Sequence, residues 1–312
     1  RDRLAIDKQT WDPELCQIFG VPATCLPAIV DSDALFGYTD FDGIFAKPLP
    51  IHGVLADSQA ALFGQHCWEF SDVKATYGTG SSIMMNIGTK DIRSKNGLMT
   101  SIAWRLHGQT NYVLEGNVNY SGAVVKWLQD DLQLITNAAE TSDLAQAANP
   151  DDQTYLIPAF SGLGAPYWND KAQAVLWGMT RTTRKPEIVK AALNSIGFQI
   201  NDVLQQMLKD IGSQQLKLKV DGGVTKNDYL MQFQADIIGA QLLLPNVEEL
   251  SAFGAVNVAG RQLGCYSKLT CQQAINYTTY QPTMSAQRRQ QGLTGWQPVS
   301  YTHLTLPTIC SV

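Results

Sequence analysis

Apolar and polar positions in this chain alternate between two rhythms, short apolar runs of strand length and longer stretches with helical spacing. Residues 1–47 carry a short helical pattern and then loop material marked by Pro22, Pro27, Gly37, Gly43 and Pro48. The apolar run Ile51 to Ala56 ends in Asp57 and passes into Ser58 to Gly64, which reads as strand, acidic turn and helix. Val73 to Tyr77 and Ser82 to Ile87 flank Gly78-Thr79-Gly80, the pattern of a hairpin with a glycine-bracketed turn.

Further along, Tyr112 to Leu114 predicts a strand, and Ser121 to Leu134 a helix with Val124, Trp127, Leu128 and Leu132 on its apolar stripe. Residues 136–153 are polar and predict a loop, and Pro158 to Trp168 (PAFSGLGAPYW) is too rich in Gly and Pro for a regular element. Pro186 suits a first helical position, and Val189, Leu193, Ile196, Ile200, Val203 and Met207 follow at helical spacing. The last third repeats the order: strand Leu216 to Val220, turn Asp221-Gly222-Gly223, helix Asn227 to Ile238, strand Gln241 to Leu244, and a small-residue helix Ser251 to Gly264. Strands alternating with helices imply an α/β domain with a partly parallel sheet.

Composition narrows the chemistry. With 312 residues, 45% hydrophobic and 16% charged, the chain has ample material for a core. Its net charge of −5 comes without a Lys/Arg run, so neither nucleic acid nor an anionic membrane surface is an expected partner. No apolar stretch has the length of a membrane span, and a cytoplasmic location is the default expectation. Cys16, Cys25, Cys67, Cys265, Cys271 and Cys310 form no CxxC pair and the histidines are dispersed, so reduced thiols are expected rather than a metal site. His66 and Cys67 read as surface and packing residues because no third group orients them as base and nucleophile.

Three places offer chemistry. Asp57 can take a proton from a hydroxyl or sit near a Mg²⁺ shell, and can equally serve as the N-cap of the next helix. Gly78-Thr79-Gly80 offers unobstructed backbone N–H groups and a hydroxyl to a phosphate, or is a tight hairpin turn. Asp221-Gly222-Gly223 admits a ligand close to the backbone, or is an ordinary strand-to-helix turn. Met84, Met85 and Trp127 read as packing and Lys126 as a solvated helix face.

Taken in order, these blocks resemble the FGGY carbohydrate kinases. The matching segments are Ala56 to Gln65, Thr76 to Gly80, Pro158 to Trp168, Gly178 to Arg181 with Ala191 to Gln199, Val220 to Gly223 with Leu230 to Asp236, and Ala252 to Gly264. The resemblance implies an actin-like, ribonuclease H-like ATPase fold, with residues 1–68 ending an N-terminal substrate domain and 69–298 forming a C-terminal nucleotide-binding domain. It implies transfer of the ATP γ-phosphoryl group, with Mg²⁺, to a primary hydroxyl of glycerol, in a protein that is a homodimer or homotetramer at full length. Asp57 falls where the family has its catalytic base and Thr79 in its phosphate loop. Gly122 and Lys126 fall at nucleotide contacts, Gly223 with Asn227 at the pair near the adenosine, and Asp57, Ser58 and Ser82 on the substrate side.

Ser58 stands where the glycerol-phosphorylating branch has Gln, Ser82 where it has an aromatic ring, and Lys126 where it has Gln. A wider, more polar pocket would suit a larger polyol or pentulose such as erythritol, xylulose or ribulose. A non-catalytic nucleotide-binding relative is the other alternative, and Asp57 argues against it. The chain opens in charged sequence as a fragment would, so the family's amino-terminal phosphate loop and Mg²⁺-associated acid are expected to precede residue 1. Residues 299–312 resemble a translated adapter, which leaves His303 and Cys310 without functional weight.

Overall fold

The computed structural model describes residues 4–273 and 275–305. Strands β1 (Leu4–Ala5) and β2 (Thr10–Trp11) form a small antiparallel pair before helix α1 (Pro13–Ile18), which Asp12 caps by accepting from the Glu14 and Leu15 N–H groups. A second pair, β3 (Gly37–Thr39) and β4 (Leu49–Ile51), leads to α2 (Asp57–Gly64). The strand expected from Ile51 to Ala56 stops at Ile51. Gly53, at φ +78°, turns the chain against a later helix, where a Cβ would lie 2.5 Å from the Ala255 carbonyl oxygen.

The central hairpin forms as predicted from β5 (Val73–Tyr77) and β6 (Ser81–Asn86), followed by β7 (Met99–Leu106) and β8 (Gln109–Val118). Helix α3 (Gly122–Asp130) ends before the expected Leu132, which is exposed. Residues 136–153 are not all loop, because α4 (Glu140–Ala147) lies within them. Its fully buried residues are Thr141 and Ala145, with Leu144 alone as a large apolar side chain against the core, too small a stripe to show as apolar periodicity. Strands β9 (Tyr155–Ile157) and β10 (Val175–Trp177) bracket the Gly/Pro-rich loop, and the 27-residue α5 (Lys185–Ile211) ends at Gly212 in the left-handed region. Then come β11 (Leu218–Asp221), α6 (Asp228–Ile238), β12 (Leu242–Pro245), α7 (Leu250–Gln262), α8 (Lys268–Gln273), β13 (Tyr277–Tyr280) and α9 (Ala286–Thr305). The last helix enters the segment set apart at 299, and Cys310 lies outside the described residues.

One mixed sheet of seven strands organises these elements in the order β13-β12-β11-β5-β6-β8-β7, with β5, β11 and β12 parallel. Both faces are covered, as a partly parallel sheet requires. On one face Val73, Ala75, Tyr77, Ile83, Met85 and Leu114 join residues of α3, α5 and α6 in the main core. On the other, Met84 and Val113 meet Leu62 and Phe63 of α2 and Val258 of α7. Helices α2 and α7 touch through glycine: a Cβ on Gly254 would lie 1.9 Å from the Ala60 oxygen, which is why this helix is built of small residues.

Candidate functional site

The parallel strands β5 and β11 end side by side, Asp221 in register with Thr76, so their following turns are brought together. Gly222, at φ +100°, packs on the Tyr77 backbone, where a Cβ would come within 2.3 Å of the Tyr77 oxygen. The Gly78–Gly80 turn is fixed to the start of α3: the N–H groups of Ser121 and Ala123 donate to the Thr79 oxygen and that of Gly122 to the Gly78 oxygen, at 2.9–3.0 Å. Gly122 acts by lacking a side chain, since a Cβ would stand 2.8 Å from the Gly78 oxygen.

These turns border a cleft of about 730 Å³ lined by Gly78, Thr79, Gly122, Lys126 and Gly223, with Tyr120, Trp127 and Phe160 as an aromatic wall. Four of the five residues expected at the nucleotide thus share one cavity. Gly223 is informative because nothing lies within 4 Å of where its Cβ would be, so packing does not explain the glycine. The bare backbone there leaves room for a ligand to approach. Lys126 is largely exposed and pairs loosely with Asp130 at 3.8 Å, combining the solvated face with a place on the cleft wall. Asn227 is the exception: its Oδ1 caps α6 by accepting from the Leu230 N–H, its Nδ2 donates to Thr141 Oγ1, and it does not line the cleft.

The acceptor-side candidates occupy the opposite face of the sheet. Asp57 is exposed at the first position of α2 rather than at its cap, which is Ala56, and its Oδ1 accepts from the Ser58 N–H at 2.7 Å. Ser82 lies in register between Thr76 and Asn117, and its Oγ is buried without a hydrogen-bond partner among the described residues. Sequence reasoning missed one neighbour there, Lys74, and named the other, Asp221, only as part of its turn. Lys74 is fully buried, with Nζ donating to Thr76 Oγ1 at 2.8 Å, and Asp221 is buried at the strand end. A lysine between Val73 and Ala75 in a buried strand was the available signal. Cys67, by contrast, behaves as packing: burial pushes its thiol up to about 12, while burial first and Lys219 second draw His66 down to about 4.

A second groove, lined by Lys190, Tyr229, Asp236 and Arg288, opens between α5, α6 and α9 and contains none of the expected site residues. Among the described residues no helix is long and apolar enough to cross a membrane.

The geometry defines a cleft at the strand ends of a mixed, partly parallel sheet, and comparison with known proteins identifies the fold. Residues 73–263 match the C-terminal domain of the FGGY family of carbohydrate kinases. The glycerol kinase of Clostridium beijerinckii is 40% identical over 295 residues, 94% of this chain and 59% of that protein. Glycerol kinase 1 of Thermotoga maritima is 41% identical over 296 residues, 94% of this chain and 60% of that protein. Among solved structures, Plasmodium falciparum glycerol kinase with ADP superposes with a TM-score of 0.90 at 30% identity, covering 98% of this chain and 62% of that one. The xylulose kinase of Lactobacillus acidophilus, at 21% identity and a TM-score of 0.84 over 97% of this chain and 62% of that one, shows the shared fold. The chain belongs to the FGGY family of carbohydrate kinases. It spans about three-fifths of the curated relatives it matches.

Proposed function

We propose that this chain is the nucleotide-binding part of an ATP-dependent kinase that phosphorylates a primary hydroxyl of glycerol, giving glycerol 3-phosphate and ADP. The observation that carries the reading is the convergence of Thr79, Gly122, Lys126 and Gly223 on one cleft, with Gly223 left bare for a ligand. The glycerol kinase relatives and the neighbour holding ADP support the substrate pair.

In this reading the Gly78–Gly80 and Gly222–Gly223 backbones hold the phosphates, and Asp57 accepts the proton of the acceptor hydroxyl. Ser58 and Ser82 shape the acceptor side, and residues 1–68 close the substrate domain against the nucleotide domain. Mg²⁺ needs only one or two carboxylates beside phosphate oxygens, and Asp57, which lies off the cleft and serves the acceptor hydroxyl, is not one of them. When bound, the ion would neutralise phosphate charge.

The test joins this chain to the amino-terminal part carried by the relatives and measures ADP release with glycerol, erythritol, xylulose and ribulose. Preference for glycerol is the predicted result. Turnover confined to a pentulose would replace the substrate, and none on any polyol would reject the kinase reading.

A further inference from the structure

The face of the sheet under α2 carries two polar rows where a core would be apolar. Register sets Lys219, Lys74, Met84 and Glu115 side by side in one row, and Asp221, Thr76, Ser82 and Asn117 in the next. Lys74 has no exposed surface, and one hydrogen bond, to Thr76 Oγ1, is recorded for its ammonium. An ammonium so placed costs several kcal/mol unless charge compensates it. Asp221 answers it from the adjoining strand, itself 8% exposed and with Oδ1 lacking a hydrogen-bond partner among the described residues. Burial lowers the Lys74 pKa, and Asp221 leads the charges that oppose this, ahead of Cys67, Glu115 and Asp57. In return Lys74 is the foremost influence drawing Asp221 back from the upward push of its own burial. Lys219 is occupied elsewhere, its Nζ donating to the His66 oxygen at 2.9 Å.

Their places in the chain give this pair its meaning. Lys74 reaches Thr76, which stands two residues before Gly78, and Asp221, in register with Thr76, directly precedes Gly222, so the pair adjoins the turns that would hold phosphates. An unscreened carboxylate there would repel the ligand those turns suit. We propose that Lys74 is the fixed positive charge of the phosphate site, screening Asp221 so that the two glycine turns accept an anion.

This rests on the nucleotide reading above and deepens it by assigning the electrostatics to residues on the opposite face of the sheet. It predicts opposite signs for the two partners, which a merely structural pairing of charges does not. The experiment titrates ADP and adenosine calorimetrically into the chain without added divalent cation, using the native sequence, Lys74→Met, Asp221→Asn and the double variant. Lys74→Met should weaken ADP roughly tenfold relative to adenosine. Asp221→Asn should leave that ratio unchanged or raise it, and the double variant should return it to near the native value. A native-like ratio in Lys74→Met, or a loss in Asp221→Asn equal to that in Lys74→Met, overturns the proposal. Should Lys74→Met fail to fold, the other two variants still decide: a depressed ratio in either overturns it. Native protein that takes neither ligand rejects the nucleotide reading and this inference together, whereas binding with the wrong signs rejects the inference alone.

Discussion

The two faces of the central sheet are made by the same strands yet obey different rules. Alternate residues of β5 and β6 that face α5 and α6 are Val73, Ala75, Tyr77, Ile83 and Met85, all without exposed surface. Their neighbours facing α2 include Lys74, Thr76 and Ser82. The first face is a packed core and stabilises the domain by burial. The second gives up stability to keep charges and hydroxyls beneath the turns, a departure from local rules that marks functional ground.

The contrast breaks most visibly at Asp57. Asp57→Asn in the protein joined to its relatives' amino-terminal part should cut turnover on the order of 10²–10⁴-fold, the range for loss of a general base. ADP affinity should stay within about twofold, because Asp57 does not line the cleft. Turnover within tenfold of native would remove Asp57 from its role. On the core face, Ile196→Ala in α5 should cost about 2–5 kcal/mol in denaturant unfolding, since Ile196 is fully buried among α5 neighbours and the sheet. A loss below about 1 kcal/mol would mean that this face is not the stabilising one.

The core face also holds a titrating group. Asp202 of α5 accepts from Tyr167 Oη and Trp296 Nε1, both at 2.7 Å, and burial raises it to about 6. A carboxyl raised in the folded state contributes stability at low pH, and this is lost as pH climbs from its unfolded value near 3.9 through about 6. The loss should reach up to about 3 kcal/mol, and Asp202→Asn should flatten that part of the stability profile. An unchanged slope would contradict the assignment. The smallest effect is expected at Ser82→Ala, which removes a buried hydroxyl that has no partner among the described residues and should change stability by less than about 1 kcal/mol. A larger loss would reveal a bond that Ser82 makes.

Much of this was legible in the residues, and the reasons differ by element. Periodicity exposed α5 because sixteen of its residues are buried, enough to repeat a stripe over many turns. The hairpin β5–β6 was marked by its glycines, and the structure brings the two glycine turns that carry Thr79 and Gly223 to one cleft. Helix α4 escaped because only Leu144, beside the small buried Thr141 and Ala145, brings a large apolar side chain to the core. The extended segment from His52 to Ala56 looked like a strand because apolar runs cannot say whether a partner strand exists, and here Gly53 instead packs on α7. Asn227 was assigned to the nucleotide through resemblance, yet its side chain is engaged in capping α6 and in bonding Thr141. Lys74 and Asp221 were missed as a pair because register across parallel strands separated by more than a hundred residues is set by the fold, not by local pattern.

The proposed function turns on a nucleotide resting against the bare backbone of Gly223. The most direct test is a calorimetric titration of ADP into the native chain and into Gly223→Ala, alongside thermal unfolding of both. With nothing within 4 Å of the new methyl group, the melting temperature should be unchanged and ADP binding weakened at least about tenfold. Native-like ADP affinity in Gly223→Ala would contradict it, since the glycine would then have neither a packing reason nor a ligand reason to be there.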